Sequence, residues 1–265
     1  MTQAYLHSVG AIGPGVPDWS AARAVLRGER ACEPAPAPQP DAAVLPANER
    51  RRAAASVRWA LAVALEAMTA AGRRPGEVAT VFTTSGGDGE TLHRTCETLA
   101  GVEREISPTR FHNSVHNAAA GYWTIAAGSR QPSVSLCGYD ASFAVGLVEA
   151  ASQVQAEGVP VLLVAYDIPY PQPLQAVRPF THPFAVALLL APEPAPGTLA
   201  RLRIEIAPQE AEPTPFPGAL PGELAGTPAA RSLALLAAVA RGEKATVRLG
   251  YLDGCQLVVD SAAWS

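Results

Sequence analysis

Histidine runs out early in this chain. The five histidines are His7, His93, His112, His116 and His182, and no imidazole follows over the remaining sequence to residue 265. Cysteine is also scarce. Cys32, Cys96, Cys137 and Cys255 form no C-x-x-C pair, which argues against a zinc site or a thioredoxin motif and fits a reduced, cytoplasmic compartment. No basic patch stands out against a net charge of -4, so nucleic acid is not an expected partner. The short run Arg50–Arg52 reads as a solvated helix start. The longest apolar runs, such as 184–191, are far too short to span a bilayer, so direct membrane insertion is not expected. The first residues, MTQAYLHSVGAIGPG, lack the basic and apolar regions of a signal peptide. The turn SGGDGE at 85–90 lacks the lysine and Ser/Thr of a P-loop, and G-x-G-x-x-G is missing. It is read as a tight strand-to-helix turn, and no cofactor is expected.

What is present is an apolar, lightly charged chain. Hydrophobic residues make up 48% and charged residues 17%, a globular composition, and 265 residues allow a sizeable core. Strands are expected at 4–11, 78–84, 133–137, 159–166, 184–191, 200–206 and 255–261. Helices are expected at 19–27, 53–71, 88–100, 115–127, 141–157 and 228–241. The helix at 53–71 carries the apolar stripe Val57, Leu61, Ala64, Leu65 and Met68. The segment 33–47 is a proline-rich excursion. Strands alternating with helices, several of them continuous apolar runs, predict an α/β fold with strands buried on both faces.

The most informative stretch is PSVSLCGYDASFAVGLVEAASQV, 132–154. A buried strand enters a tight turn and then an apolar helix, the layout of a nucleophile elbow. Asp140 stands where such an elbow presents its reactive residue. As an N-cap or first-turn acid it would complement the helix dipole, worth ~0.5–2 kcal/mol. Cys137 is expected in the strand as a small buried hydrophobe. His112 and His116, four apart, would share a helix face, but the third ligand of a metal site is lacking nearby. They are expected to bond backbone at a loop–helix junction or to line an interface.

Three pieces in order resemble the beta-ketoacyl synthases of the thiolase-like superfamily: SPTRFHNSVHNAAAGYWTIAAG (107–128), the elbow, and RPFTHPFAVALLLAPE (178–193). The first looks like the short, chain-length-factor-like subgroup of aryl polyene pathways. The resemblance implies a truncated ketosynthase N-terminal half over 1–193, a mixed sheet covered by helices, with an abbreviated C-terminal part at 194–265 packing on the same domain. Laid over the family without gaps, the nucleophilic cysteine falls on Asp140. A three-residue slip would place it on Cys137, at the expense of the helix face Phe143, Leu147, Ala150 and Val154.

In this family, decarboxylative condensation needs a thiolate and two histidines. GTPAARS, 226–232, is only a faint match to the first histidine motif, and its imidazole is absent. The resemblance therefore implies a non-catalytic subunit pairing with an active ketosynthase, in a heterodimer or higher assembly. It would shape an acyl tunnel for chains carried on an acyl carrier protein, in type II fatty-acid or aryl-polyene-like biosynthesis. Tunnel and interface candidates are Phe111, His112, Val115, His116, Tyr122, Ser135, Tyr139 and Phe143, with Trp123 assigned to the core. The alternative is a thioester-processing enzyme using Cys137, or water activated by Asp140 or His116.

Overall fold

The computed structural model describes residues 1–102 and 104–264. Eight strands form a single sheet in the order β3-β2-β4-β5-β1-β6-β8-β7. They are β1 (Thr2–Ile12), β2 (Ala79–Thr83), β3 (Ser133–Leu136), β4 (Val161–Asp167), β5 (Phe184–Ala191), β6 (Ala200–Pro208), β7 (Ala245–Gly250) and β8 (Cys255–Ala263). The helices are α1 (Trp19–Leu26), α2 (Ala47–Arg52), α3 (Ala55–Ala70), α4 (Gly89–Ala100), α5 (Pro108–Asn113), α6 (Ala118–Ala127), α7 (Ser142–Glu157), α8 (Leu174–Val177) and α9 (Leu233–Arg241).

β2 pairs in parallel with β3 and β4, and the remaining ladders are antiparallel. Side chains on β4 alternate between two cores because successive residues point to opposite faces. Leu162 and Val164 pack under α3 and α6, while Val161, Leu163 and Ala165 pack under α7. Both faces are covered, so the strand reads as an unbroken apolar run. The fit of α3 onto β1 is close enough that a Cβ on Gly10 would collide with the Val63 carbonyl oxygen.

The C-terminal strands are covered on one face only. Leu202, Ile204, Val247, Leu249, Leu257 and Val259 are buried on the side of α9, whereas Arg203, Glu205 and Asp260 on the other side are exposed. This half-solvated pattern gives the alternation seen in β6.

The two sheet edges differ. At β7, Thr214 bonds both backbone groups of Arg248, closing that edge. At β3, the carbonyls of Pro132 and Leu136 accept from Thr80 N in β2 and Thr84 N just past it, so the alternate residues Ser133 and Ser135 turn their backbone groups outward.

Several sequence expectations change. The strand expected to be buried before the elbow, β3, is an edge strand whose residues are exposed or half-buried, because a partner lies on one side of it only. The helix expected at 115–127 begins at Ala118, and a separate α5 precedes it. Asn113 is drawn inward to donate to the Arg52 carbonyl, and a turn at 114–117 breaks the helix. The helix expected at 228–241 opens as a 3-10 turn, Pro228–Ser232, before α9. β7 was not expected from sequence, because its six residues are half-buried and too short for a clear period. No helix among the described residues is long and apolar enough to cross a membrane.

Candidate functional site

The elbow is built at the C-terminal ends of β2, β3 and β4. β3 ends at Leu136, and a 3-10 turn, Tyr139–Ala141, leads into α7. The Ser142 hydroxyl closes this turn, accepting from Gly138 N at 3.0 Å and donating to the Tyr139 carbonyl at 2.7 Å. Thr83 Oγ1 donates to the Ser142 carbonyl at 2.9 Å and ties the helix start to β2. Gly146 lets α7 approach the sheet, since a Cβ there would meet Leu163 and Thr83.

Tyr139 adopts φ +52°, in the left-handed region. That conformation costs a bulky L-residue roughly 1–2 kcal/mol. The Arg178 guanidinium lies 3.7 Å from the Tyr139 ring centroid, a cation–π contact worth ~0.5–1 kcal/mol that offsets part of the strain.

Asp140 does not cap α7, which corrects the sequence reading. The helix start has no side-chain cap. The Asp140 carboxylate instead lies between two guanidinium groups. Arg178 Nη2 is 2.7 Å from Oδ1, an ion pair rather than a well-aligned hydrogen bond. Arg231 Nη2 donates to Oδ2 at 3.0 Å. Arg178 comes from the β4–β5 connection and Arg231 from the Pro228–Ser232 turn, so three distant segments meet on one carboxylate.

Cys137 is also placed differently from the expectation. It lies one residue past β3 and is exposed, its Sγ donating to the Ser85 carbonyl at 3.2 Å. Ser85 leads to a buried carboxylate that sequence reasoning missed. Asp167 Oδ1 accepts from Ser85 N at 2.8 Å, Ser85 Oγ at 2.7 Å and Thr84 Oγ1 at 3.1 Å. Its Oδ2 accepts from Ala229 N at 2.9 Å. Burial pushes the Asp167 carboxyl up to about 6, against the pull of these donors. The Tyr170 hydroxyl pairs with Ser85 Oγ at 3.1 Å, and burial raises its pKa. The signal for Asp167 was a lone acid ending the apolar run VLLVAYD.

The tail segment 226–232 arrives at this place. Thr227 Oγ1 donates to the His182 carbonyl at 2.6 Å, Ala229 N reaches Asp167, and Arg231 reaches Asp140. It brings a guanidinium and no imidazole. Among the described residues, no histidine hydrogen-bonds Cys137 or Asp140. Nor does any group of His, Cys, Asp and Glu there have a metal-holding arrangement. His112 and His116 do not share a helix: His112 is on α5, and His116 is in the turn after it.

The tunnel candidates divide into two groups. Phe111 and Val115 are exposed at 66% and 49%, and Tyr139 at 59%. His112 is exposed and packs edge-on against Tyr122, ring centroids 5.5 Å apart. Ser135 is half-buried on the open edge strand. Tyr122 and Phe143 are each 1% exposed and belong to the two cores, as does Trp123. Helices α6 and α7 turn these rings onto the sheet, so the chain itself covers them, and this corrects the sequence reading for Tyr122 and Phe143. His116 is half-buried, with Nε2 enclosed and unpartnered. A groove of about 600 Å³ opens beside the elbow, lined by Tyr139, Asp140, Arg231, Tyr251, Leu252 and Asp253 among others.

The family model for the beta-ketoacyl synthase N-terminal domain matches residues 19–248. A structure of a ketosynthase (ApeO) in complex with its chain length factor (ApeC), from Xenorhabdus doucetiae, contains a similar chain. The identity is 27% and the TM-score 0.73, over 98% of this chain and 99% of that one. The ishigamide ketosynthase/chain length factor is 13% identical with TM-score 0.72, over 100% of both chains. A beta-ketoacyl synthase from Burkholderia phymatum STM815 is 12% identical with TM-score 0.73, again over 100% of both. The last two likenesses speak to the fold, which is thiolase-like. No curated protein matches the chain in sequence.

Proposed function

Because this chain belongs to the beta-ketoacyl synthase family, we propose that it is a non-catalytic, chain-length-factor-like subunit acting beside an active ketosynthase. The observation that carries this reading is the elbow itself. Its carboxylate is engaged by Arg178 and Arg231, and the nearby thiol has no imidazole partner among the described residues. Condensation requires a thiolate and preorganised donors for the developing oxyanion. The similarity to a chain of a ketosynthase–chain length factor complex supports the pairing.

The open edge of β3 supports it further. Ser133 and Ser135 offer outward backbone groups that a partner strand can pair. Phe111 and Val115, exposed at α5 and in the turn after it, are the side chains that would enter the acyl tunnel. Each misfitting methylene is worth ~1–3 kcal/mol, enough to set chain length. Substrates would be acyl chains on a carrier protein, in an aryl-polyene or fatty-acid type II pathway in the cytoplasm. Residues 194–265 would act as an extension of the same domain.

The test is direct. The purified chain alone should take up no acyl group from an acyl-carrier-protein thioester, and co-expression with a ketosynthase should yield a one-to-one complex. Covalent loading of the lone protein would overturn the reading. The exposure of Cys137 is the feature that favours the thioester-processing alternative. Rapid, selective alkylation of Cys137 by iodoacetamide, with matching loss of a thioester turnover, would establish that alternative.

A further inference from the structure

Helix α4 turns its apolar side to solvent. Leu92, Cys96 and Leu99 recur at the i, i+4, i+7 spacing of one helical face. All three are exposed, Leu92 at 50% and Leu99 at 47%. The charged residues lie on the opposite side, where Arg94 pairs with Glu90 at 2.8 Å and Glu97 at 3.0 Å. The buried residues of α4 are Gly89 and Thr91 in its first turn, where Asp88 caps the helix by accepting from Thr91 N at 2.7 Å. An amphipathic helix of a globular chain normally lays its apolar stripe on its own core. Here the chain leaves that stripe uncovered.

The stripe does not stand alone. α4 packs against α5, and Phe111 on α5 and Val115 in the turn after it are exposed apolar side chains as well. The loop that leads into α4 meets the end of β3. Thr84 N donates to the Leu136 carbonyl, and Cys137 Sγ donates to the Ser85 carbonyl, so the loop feeding α4 is tied to the tip of the open edge strand. β3 has four residues. Pairing along so short an edge falls well short of the ~1,200–2,000 Å² that a stable interface buries. The association needs an apolar centre, and the α4 stripe follows directly on the loop that is tied to that edge.

Resting on the reading that the chain pairs with a ketosynthase through β3, we infer that the apolar face of α4 is a second contact with that same subunit. Leu92, Cys96 and Leu99 insert into an apolar groove of the ketosynthase, and Glu90, Arg94 and Glu97 stay in water. A helix laid by its i, i+4, i+7 anchors into a partner's groove is an established mode of recognition.

Cys96 provides the readout. The co-purified wild-type complex and the lone chain are treated with a maleimide, and labelling at Cys96 is followed by peptide mass spectrometry, normalised to Cys255. Labelling at least tenfold slower in the complex is expected, and Leu99→Lys should weaken the complex at least tenfold. A complex in which Cys96 reacts as fast as in the lone chain overturns the inference and leaves the heterodimer intact. Failure of any complex to form removes the heterodimer reading, and the α4 contact falls with it. A lone chain already protected at Cys96, and converted from dimer to monomer by Leu99→Lys, assigns the stripe to a second copy and overturns the ketosynthase as occupant.

Discussion

Oδ2 of Asp140 accepts a hydrogen bond at 3.0 Å from Nη2 of Arg231, a residue 91 positions further along the chain. This contact joins the elbow to the C-terminal segment, and Arg178 completes it from the other side of the carboxylate. The residue on which the sequence resemblance places the family's nucleophile thus holds two guanidinium groups.

Asp140→Cys should restore a thiol without restoring chemistry. Iodoacetamide should modify the introduced thiol faster than the half-buried Cys32 and Cys255. No condensation product should appear when a malonyl and an acyl thioester are supplied to the lone chain, because the imidazoles are still missing. The variant should also lose up to about 1 kcal/mol of stability, the scale of a part-exposed ion pair. Carbon–carbon bond formation in a chromatographic product assay would refute the expectation.

Asp167 should impose a pH dependence on folding. Its carboxyl is raised from the ordinary 3.8 to about 6 by burial. The native state then holds a proton more firmly than the unfolded chain. The stabilisation contributed by this carboxyl is fully present below about pH 4, falls as pH rises through 6, and is gone above about pH 7. Between pH 4.5 and 7 the loss should be about 2 kcal/mol. Asp167→Asn should make the loss over this range smaller by that amount. Glu66, raised by burial to about 7, titrates in both proteins and cancels in the comparison. Urea unfolding at the two pH values measures the difference, and equal losses in wild type and variant would be inconsistent with it.

Ser135→Pro should separate folding from assembly. The Ser135 N–H points away from β2, so its removal spares the internal ladder. The lone chain should stay within about 1 kcal/mol of wild type. Affinity for the ketosynthase should fall at least tenfold by titration calorimetry. An unchanged affinity would mean that the edge of β3 is not the contact.

Phe111→Ala and Phe143→Ala should behave in opposite ways. Phe111 is exposed at 66%, so its truncation should leave stability nearly unchanged and lengthen the acyl products of the complex, read by mass spectrometry. Phe143 is 1% exposed in the core, and its truncation should cost about 3–5 kcal/mol. Identical product profiles for wild type and Phe111→Ala would remove Phe111 from the tunnel.

Much of the central sheet was legible because its strands are buried on both faces. VLLVAYD and FAVALLLA are continuous apolar runs that solvent cannot interrupt, and they became β4 and β5. α3 and α7 were legible from length and spacing. β7 was not, because ATVRLG is half-buried and owes its place to β8. The boundary of α6 was missed because an inward bond from Asn113 to the Arg52 carbonyl outweighed helical propensity.

At the candidate site, the sequence by itself determined which atoms are available: a carboxylate at the elbow, a thiol three residues before it, and no histidine in the tail. What those atoms do was decided only by the tertiary structure. Asp140 caps nothing locally because Arg178 and Arg231 reach it from distant segments. Asp167 can be buried because the loop after β2 and the tail deliver donors to both of its oxygens. The stripe on α4 is plain in the sequence, but its exposure is a property of packing. Spacing along a chain governs which side chains share a face, whereas burial and charge pairing arise between segments whose separation in sequence carries no trace of their contact.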